Sequence, residues 1–161
     1  MTIKVGDKIP SATLKQMTPE GPKDVTTDEL FRGKKVALFA VPGAFTPACS
    51  QRHLPGYVDK AADIKAKGVD EIVCVAVNDV FVMTAWSKDQ KADGKVRMLA
   101  DGSGDFVRAL GLDLDLTKMG LGTRSQRYSM LVDNGVVQSL NVEAQPGQVD
   151  ASGADAMLRS L

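Results

Sequence analysis

Apolar and polar positions along the chain keep two rhythms. Lys35-Val36-Ala37-Leu38-Phe39-Ala40-Val41 and Glu71-Ile72-Val73-Cys74-Val75-Ala76-Val77 are short, nearly unbroken apolar runs rich in β-branched residues. Such runs, without polar alternation, predict strands covered on both faces of a sheet, and the first reads as central. Between them Leu54, Tyr57, Val58, Ala61, Ala62, Ile64 and Ala66 recur at near-helical spacing, closed by the basic turn and glycine stop of Lys67-Gly68. Strand, helix, strand in that order predicts a parallel pair with a right-handed crossover. Pro55 falls inside the helical pattern and predicts a kink or a second helix start, because it lacks an N–H and its ring crowds the preceding turn.

The flanking segments are shorter. Between Lys4 and Thr27, turn signals at Gly6-Asp7, Ile9-Pro10 and Pro19-Glu20-Gly21-Pro22 separate Ala12-Thr13-Leu14 from Asp24-Val25-Thr26 and predict an edge hairpin with a polar tip. Thr27 to Phe31 reads as one helical turn ending at Gly33. Downstream, Asn78-Asp79 leads into a helix over about Val80 to Ala92 that carries Trp86, then a strand over Val96 to Ala100 and a short helix over Asp105 to Leu110. Arg127 to Val132 and Val136 to Leu140 flank Asp133-Asn134-Gly135, the strongest hairpin signal in the chain, and Ala151 to Leu161 reads as a closing helix. Parallel βαβ order followed by an antiparallel hairpin predicts an α/β protein, with a mixed central sheet flanked by helices and an N-terminal β-hairpin extension.

Length and charge narrow the partners. A chain of 161 residues is expected to form a single domain, 1–161, large enough to bury a core. Its 20 Lys and Arg balance 20 Asp and Glu, and no polybasic run appears, so no nucleic-acid or anionic-membrane partner is implied. The first residues show no apolar core of a signal segment, and no stretch approaches the roughly 18 apolar residues that span a bilayer, so a soluble cytoplasmic protein is expected. Two cysteines make no disulfide scaffold, and one histidine makes no cluster of soft metal ligands. The thiols are there for reactivity or for packing.

One stretch favours reactivity. Val41-Pro42-Gly43-Ala44-Phe45-Thr46-Pro47-Ala48-Cys49-Ser50 joins the first buried run to the helical pattern. Pro47 suits the first helical position and Thr46 the N-cap, so Cys49 falls in the first turn, where unpaired N–H groups and the positive end of the helix dipole favour a thiolate. The Thr46 hydroxyl projects to the same end and can donate to the sulfur or to a bound oxygen. A free cysteine is often only a small buried hydrophobe, but this placement is that of a reactive thiol.

Pro42 to Ser50 resembles the active-site signature of the peroxiredoxins, in the wording of the type II (peroxiredoxin-five-like) subfamily. The resemblance continues through His53-Leu54-Pro55-Gly56, Val77-Asn78-Asp79, Leu99-Ala100-Asp101-Gly102 and Gly120-Leu121-Gly122-Thr123-Arg124-Ser125-Gln126-Arg127-Tyr128-Ser129, nearly the whole chain. It implies a thioredoxin-like fold, which the order of elements also fits. It further implies a thiol peroxidase that reduces hydrogen peroxide and alkyl hydroperoxides through a Cys49 sulfenic acid, in antioxidant defence and redox homeostasis, without metal, haem or flavin.

Such a site needs a nucleophile, donors that hold the peroxide oxygens, and a cation. Thr46 and the N–H groups around Ala48 and Cys49 are candidates for the oxygens, with Gly43 in support and Pro42 shielding the sulfur. Arg127 and Arg124 are the candidate cations; the family motif puts its essential arginine just before the aromatic that opens the strand, which is Arg127, with Arg124 second. His53 lies four residues past Cys49, on one helical face with it, and is assigned to shaping the site, although a Cys and His pair also suits acyl transfer. Cys74, mid-strand, reads as core packing; as a resolving thiol it would require local unfolding.

Some type II members carry a resolving cysteine in the loop before the last helix, but Ala144 to Gly153 contains none. The sulfenic acid is then expected to be resolved by glutathione with glutaredoxin, or by thioredoxin. The family also implies a homodimer through loops near Phe45 and Phe81. Two other readings stand beside this one: a disulfide oxidoreductase, disfavoured because Thr46 occupies the place of the first cysteine of a Cys-x-x-Cys pair, and a peroxide sensor or holdase acting through a protein partner.

Overall fold

The strand Lys35–Val41 (β3) pairs in parallel with Glu71–Ala76 (β4) and antiparallel with Tyr128–Asp133 (β8) in a computed structural model that describes residues 1–161. Around them the sheet is completed by Thr13–Thr18 (β1), Gly21–Thr26 (β2), Arg97–Ala100 (β5) and Val136–Val142 (β9), in the order β2-β1-β5-β4-β3-β8-β9. The expected N-terminal hairpin thus becomes an edge, with β1 antiparallel to β5.

The unbroken run of β3 follows from its two faces. Ala37, Phe39 and Val41 enter a core shared with the helices Leu54–Ala66 (α2), Val80–Asp89 (α3) and Ala154–Ser160 (α5). Val36, Leu38 and Ala40 enter the opposite core, under Thr27–Phe31 (α1) and Asp105–Leu110 (α4). Every β3 position beyond Lys35 is buried, so none selects for a polar residue. Phe39 stacks on Tyr57 of α2 at 4.0 Å between ring centroids and 5° between planes, and burying such a ring contributes about 1.5–3 kcal/mol. This is the mixed sheet with flanking helices of the thioredoxin-like fold.

Several boundaries differ from the sequence pattern. The helix expected to run to Ala92 ends at Asp89, because Lys91 turns left-handed (φ 56°) and a Schellman closure forms: Lys91 N–H donates to Lys88 C=O and Ala92 N–H to Ser87 C=O. Ala92 is fully buried as the apolar contact of that cap, which is why it read as helical. The last helix starts at Ala154 rather than Ala151, since the N–H groups of Ala151 and Ser152 are taken by the Glu143 carboxylate. The third buried strand starts at Arg97, not Val96, and β8 at Tyr128, not Arg127.

A two-stranded sheet, Asp113–Leu116 (β6) with Gly122–Ser125 (β7), joined by a 3₁₀ turn at Thr117–Met119, was not foreseen. Its signal was the alternation of Asp113 and Asp115 with Leu114 and Leu116. The Asn134-Gly135 turn has φ of 49° and 82°, as the tight hairpin requires, and β9 runs on to Val142. No helix is long and apolar enough to cross a membrane.

Candidate active site

At the end of β3 the chain leaves the sheet through Pro42, Gly43, Ala44 and Phe45. Ala44 N–H donates to Asn78 Oδ1 just beyond β4 (2.9 Å), and Phe45 is left-handed at φ 64°. Helical winding begins at Pro47 as the sequence indicates, and the first backbone bond is from Ser50 N–H to Thr46 C=O at 3.0 Å. The N–H groups of Ala48 and Cys49 precede it, at the end of the winding where N–H groups have no carbonyl of the same helix to meet.

The winding then loosens. Cys49–His53 form a π-helical turn, with Leu54 N–H donating to Cys49 C=O, before α2 proceeds with Pro55 in its first turn. The irregularity expected at Pro55 thus takes the form of a widened turn: the proline has no N–H for the carbonyl four residues earlier, and its ring would crowd that carbonyl. Cys49 and His53 both point inward and are fully buried.

Two donors meet at the sulfur. Thr46 Oγ1 lies 2.9 Å from Cys49 Sγ, and also 2.7 Å from Gly43 C=O, so its side chain serves the sulfur and the turn rather than capping a helical N–H. A hydroxyl has one proton to give; a negative sulfur draws it from the carbonyl. The second donor is Arg127 Nη2, at 3.0 Å. Arg127 lies one residue ahead of β8 and is 2% exposed. Its Nε donates to Pro146 C=O at 2.8 Å and its Nη1 to His53 Nδ1 at 2.8 Å. No carboxylate pairs with it; every ion pair of the molecule lies elsewhere. Its one neighbour able to carry negative charge at hydrogen-bond distance is Cys49 Sγ.

His53 fixes this arrangement through its tautomer. Nε2 is 3.0 Å from Ser152 C=O, which can only accept, so Nε2 carries the proton and Nδ1 is left to accept from Arg127. Burial, with the neighbouring Arg127 charge adding to it, brings the His53 pKa down to about 3, so the ring is neutral at physiological pH. Tyr57 donates its hydroxyl to the same Ser152 carbonyl at 2.8 Å, and burial pushes its phenol well up.

The remaining candidates stand further back. Arg124, in β7, donates from Nε to Leu121 C=O (2.9 Å) and from Nη1 to Pro42 C=O (3.4 Å); it braces the turn without touching the sulfur. A Cβ at Gly43 would lie 2.8 Å from Arg124 Nη1 and 3.2 Å from the Thr46 methyl, so a larger residue there would displace the Arg124 brace. Pro42 is buried beside it, while Ala48 is half-buried at the helix start. Cys74 pairs with Phe39 and Met98 in mid-sheet and is fully buried. Burial pushes its thiol up, with repulsion from a charge on Cys49 adding to this, so it stays protonated. Both cysteines are free and share one core.

Glu143, Pro146 and Ser152 carry no motif, and two of them act through main-chain carbonyls; only the fold brings them to the site. Two hollows of the surface, about 440 Å³ beside Arg52 and Lys60 and about 380 Å³ beside Gln16 and Arg97, do not reach Cys49.

A Redoxin family model matches residues 4–158. The chloroplastic peroxiredoxin-2E of Arabidopsis thaliana is 50% identical over 164 residues, covering 99% of this chain and 70% of that protein. Among solved structures, reduced Prx3 from Vibrio vulnificus in complex with H2O2 is 53% identical with a TM-score of 0.94, covering 99% of each chain. Peroxiredoxin 5 from Alvinella pompejana is 41% identical with a TM-score of 0.86, covering 98% of this chain and 97% of that one.

Proposed function

Because the chain belongs to the Redoxin family as a peroxiredoxin of the type II kind, a thiol peroxidase, we propose that it reduces hydrogen peroxide and small alkyl hydroperoxides through Cys49 alone. The observation that carries this is the buried Arg127 guanidinium, which has no carboxylate partner and turns Nη2 toward Cys49 Sγ at 3.0 Å. A desolvated cation beside a sulfur stabilises negative charge there and on the oxygens of an arriving peroxide.

The Cys49 thiolate attacks one peroxide oxygen, the S–O bond forms as the O–O bond breaks, and the departing oxygen takes up a proton to leave as water or alcohol. Arg127, Thr46 and the N–H groups of Ala48 and Cys49 hold the two oxygens in line with the sulfur. An external thiol then displaces water from the sulfenic acid to give a mixed disulfide, and a second thiol restores Cys49. The 144–153 loop has no cysteine and Cys74 is a buried protonated thiol, which supports an external reductant: glutathione with glutaredoxin, or thioredoxin. Dependence on reduced thiols suits a reducing compartment such as the cytoplasm. The exposed rings of Phe45 (52%) and Phe81 (65%) support a homodimer, which sedimentation of the intact protein checks.

The test is stopped-flow oxidation of the reduced protein by one equivalent of hydrogen peroxide, with a dimedone-type trap and mass mapping. Fast oxidation with the trap on Cys49 and Cys74 free is expected. A rate no faster than that of a free thiol would overturn the assignment.

A further inference from the structure

The loop from Glu143 to Gly153 has no regular structure, yet it supplies two of the acceptors that orient the site. Pro146 C=O takes Arg127 Nε–H at 2.8 Å, and Ser152 C=O takes His53 Nε2–H at 3.0 Å. Five residues lie between those carbonyls, and each carbonyl must be held in place. Arg52 Nη2 donates to Gly147 C=O (2.6 Å) beside Pro146, and the Ser152 end is held by Glu143. Its side chain, 7% exposed, accepts Asp150 N–H (2.8 Å) and Ser152 N–H (2.7 Å) on Oε2, the Ser152 hydroxyl (2.6 Å) on the same oxygen, and Ala151 N–H (3.3 Å) on Oε1. No Lys or Arg pairs with it, so this carboxylate is committed to folding the loop. Its own backbone closes the circuit, since Glu143 N–H donates to Arg127 C=O at 2.9 Å, one step beyond the pairing of Tyr128 with Val142. Backbone and side chain of Arg127 are therefore both referred to Glu143, one directly and the other through Ser152 and His53.

We infer that Glu143 is a positioning residue for peroxide reduction, acting by gathering the 150–152 amides on its carboxylate so that the Ser152 carbonyl sets His53 and, through His53 Nδ1, Arg127 is aimed at Cys49. The inference rests on the peroxidase reading and deepens it. Misplacing a charge-stabilising group by about 1 Å costs on the order of a hundredfold in rate, so a carboxylate that never meets substrate can govern the reaction.

The experiment is a double-mutant cycle on the intact protein, reading the rate of Cys49 oxidation by hydrogen peroxide, with thermal unfolding measured alongside. Glu143→Ala is expected to be oxidised about tenfold or more slowly than the parent. Glu143→Gln, which keeps the Oε acceptor, should recover to within about threefold. In an Arg127→Ala background, Glu143→Ala should cost less than about twofold, because the residue it acts through is gone. If Glu143→Ala does not fold, Glu143→Asp, whose carboxylate is one methylene too short to reach the amides, takes its place in the cycle. Oxidation of the single variant at the parental rate, failure of the glutamine to restore the rate, or multiplication of the losses in the double variant would overturn the inference while leaving the peroxidase reading intact. A parent oxidised no faster than a free thiol would overturn both.

Discussion

His53 Nδ1 accepts a hydrogen bond from Arg127 Nη1 at 2.8 Å, so the histidine beside the nucleophile is an acceptor for the guanidinium and does not carry a proton on that side. A protonated ring would face Arg127 with a second positive charge. Folding is therefore coupled to keeping His53 neutral.

This coupling fixes a pH dependence. The unfolded chain binds the His53 proton near pH 6.5 and the folded one only near pH 3, so between those values the unfolded state holds the extra proton and stability falls as pH falls. The loss approaches about 1.4 kcal/mol per pH unit below the upper limit. Asp101 acts in the opposite sense, because burial raises its carboxyl above the ordinary range, so the window to read is the one just below pH 6.5, where the His53 slope sets in. Urea unfolding in that window is expected to show the slope in the parent and to lose it in His53→Gln.

The two arginines should separate in kinetics. Arg127→Ala is expected to slow oxidation of Cys49 by about a hundredfold to a thousandfold, the usual cost of removing a preorganised donor. Arg124→Ala, which loses only the 3.4 Å brace on Pro42 C=O and the bond to Leu121 C=O, should cost less than about tenfold. Rapid-mixing rates on both variants decide the ranking.

Thr46→Val keeps the shape of the side chain and removes the hydroxyl 2.9 Å from the sulfur. A slowing of about tenfold to a hundredfold is expected, the equivalent of a hydrogen bond to a charged group worth about 1.5–3 kcal/mol, whereas Thr46→Ser should stay within about threefold. The same oxidation assay reads both.

Cys74→Ala leaves the chemistry alone and opens a small hole in the sheet. Oxidation of Cys49 is expected to change by less than about twofold, while denaturation detects a loss of about 1–2 kcal/mol. Retention of a Cys49–Cys74 disulfide in the oxidised parent would contradict this expectation.

How much could be read in the sequence depended on which part of a residue does the work. Side chains whose type is their signal were legible: Cys49 and Thr46 at the helix start, Arg127 ahead of a strand, and the unbroken apolar run of β3. Helix ends were misread where backbone partners decided them, as at Lys91, whose left-handed turn no glycine announces, and at Ala151, whose N–H belongs to Glu143. Pro146 and Ser152 were illegible because their carbonyls act, and every residue has one. Glu143 was hidden for a related reason: a lone glutamate in a polar loop shows its purpose only when the amides of residues 150–152 fold back onto it.

Cys49 offers no surface to solvent, with Thr46 and Arg127 against its sulfur and His53 packed alongside. A nucleophile so enclosed chooses its reagents by girth before it chooses them by reactivity. Any reagent that meets the sulfur must first part it from those neighbours, and the wider the reagent, the larger the displacement. The order in which blocking agents inactivate the protein should then follow their width.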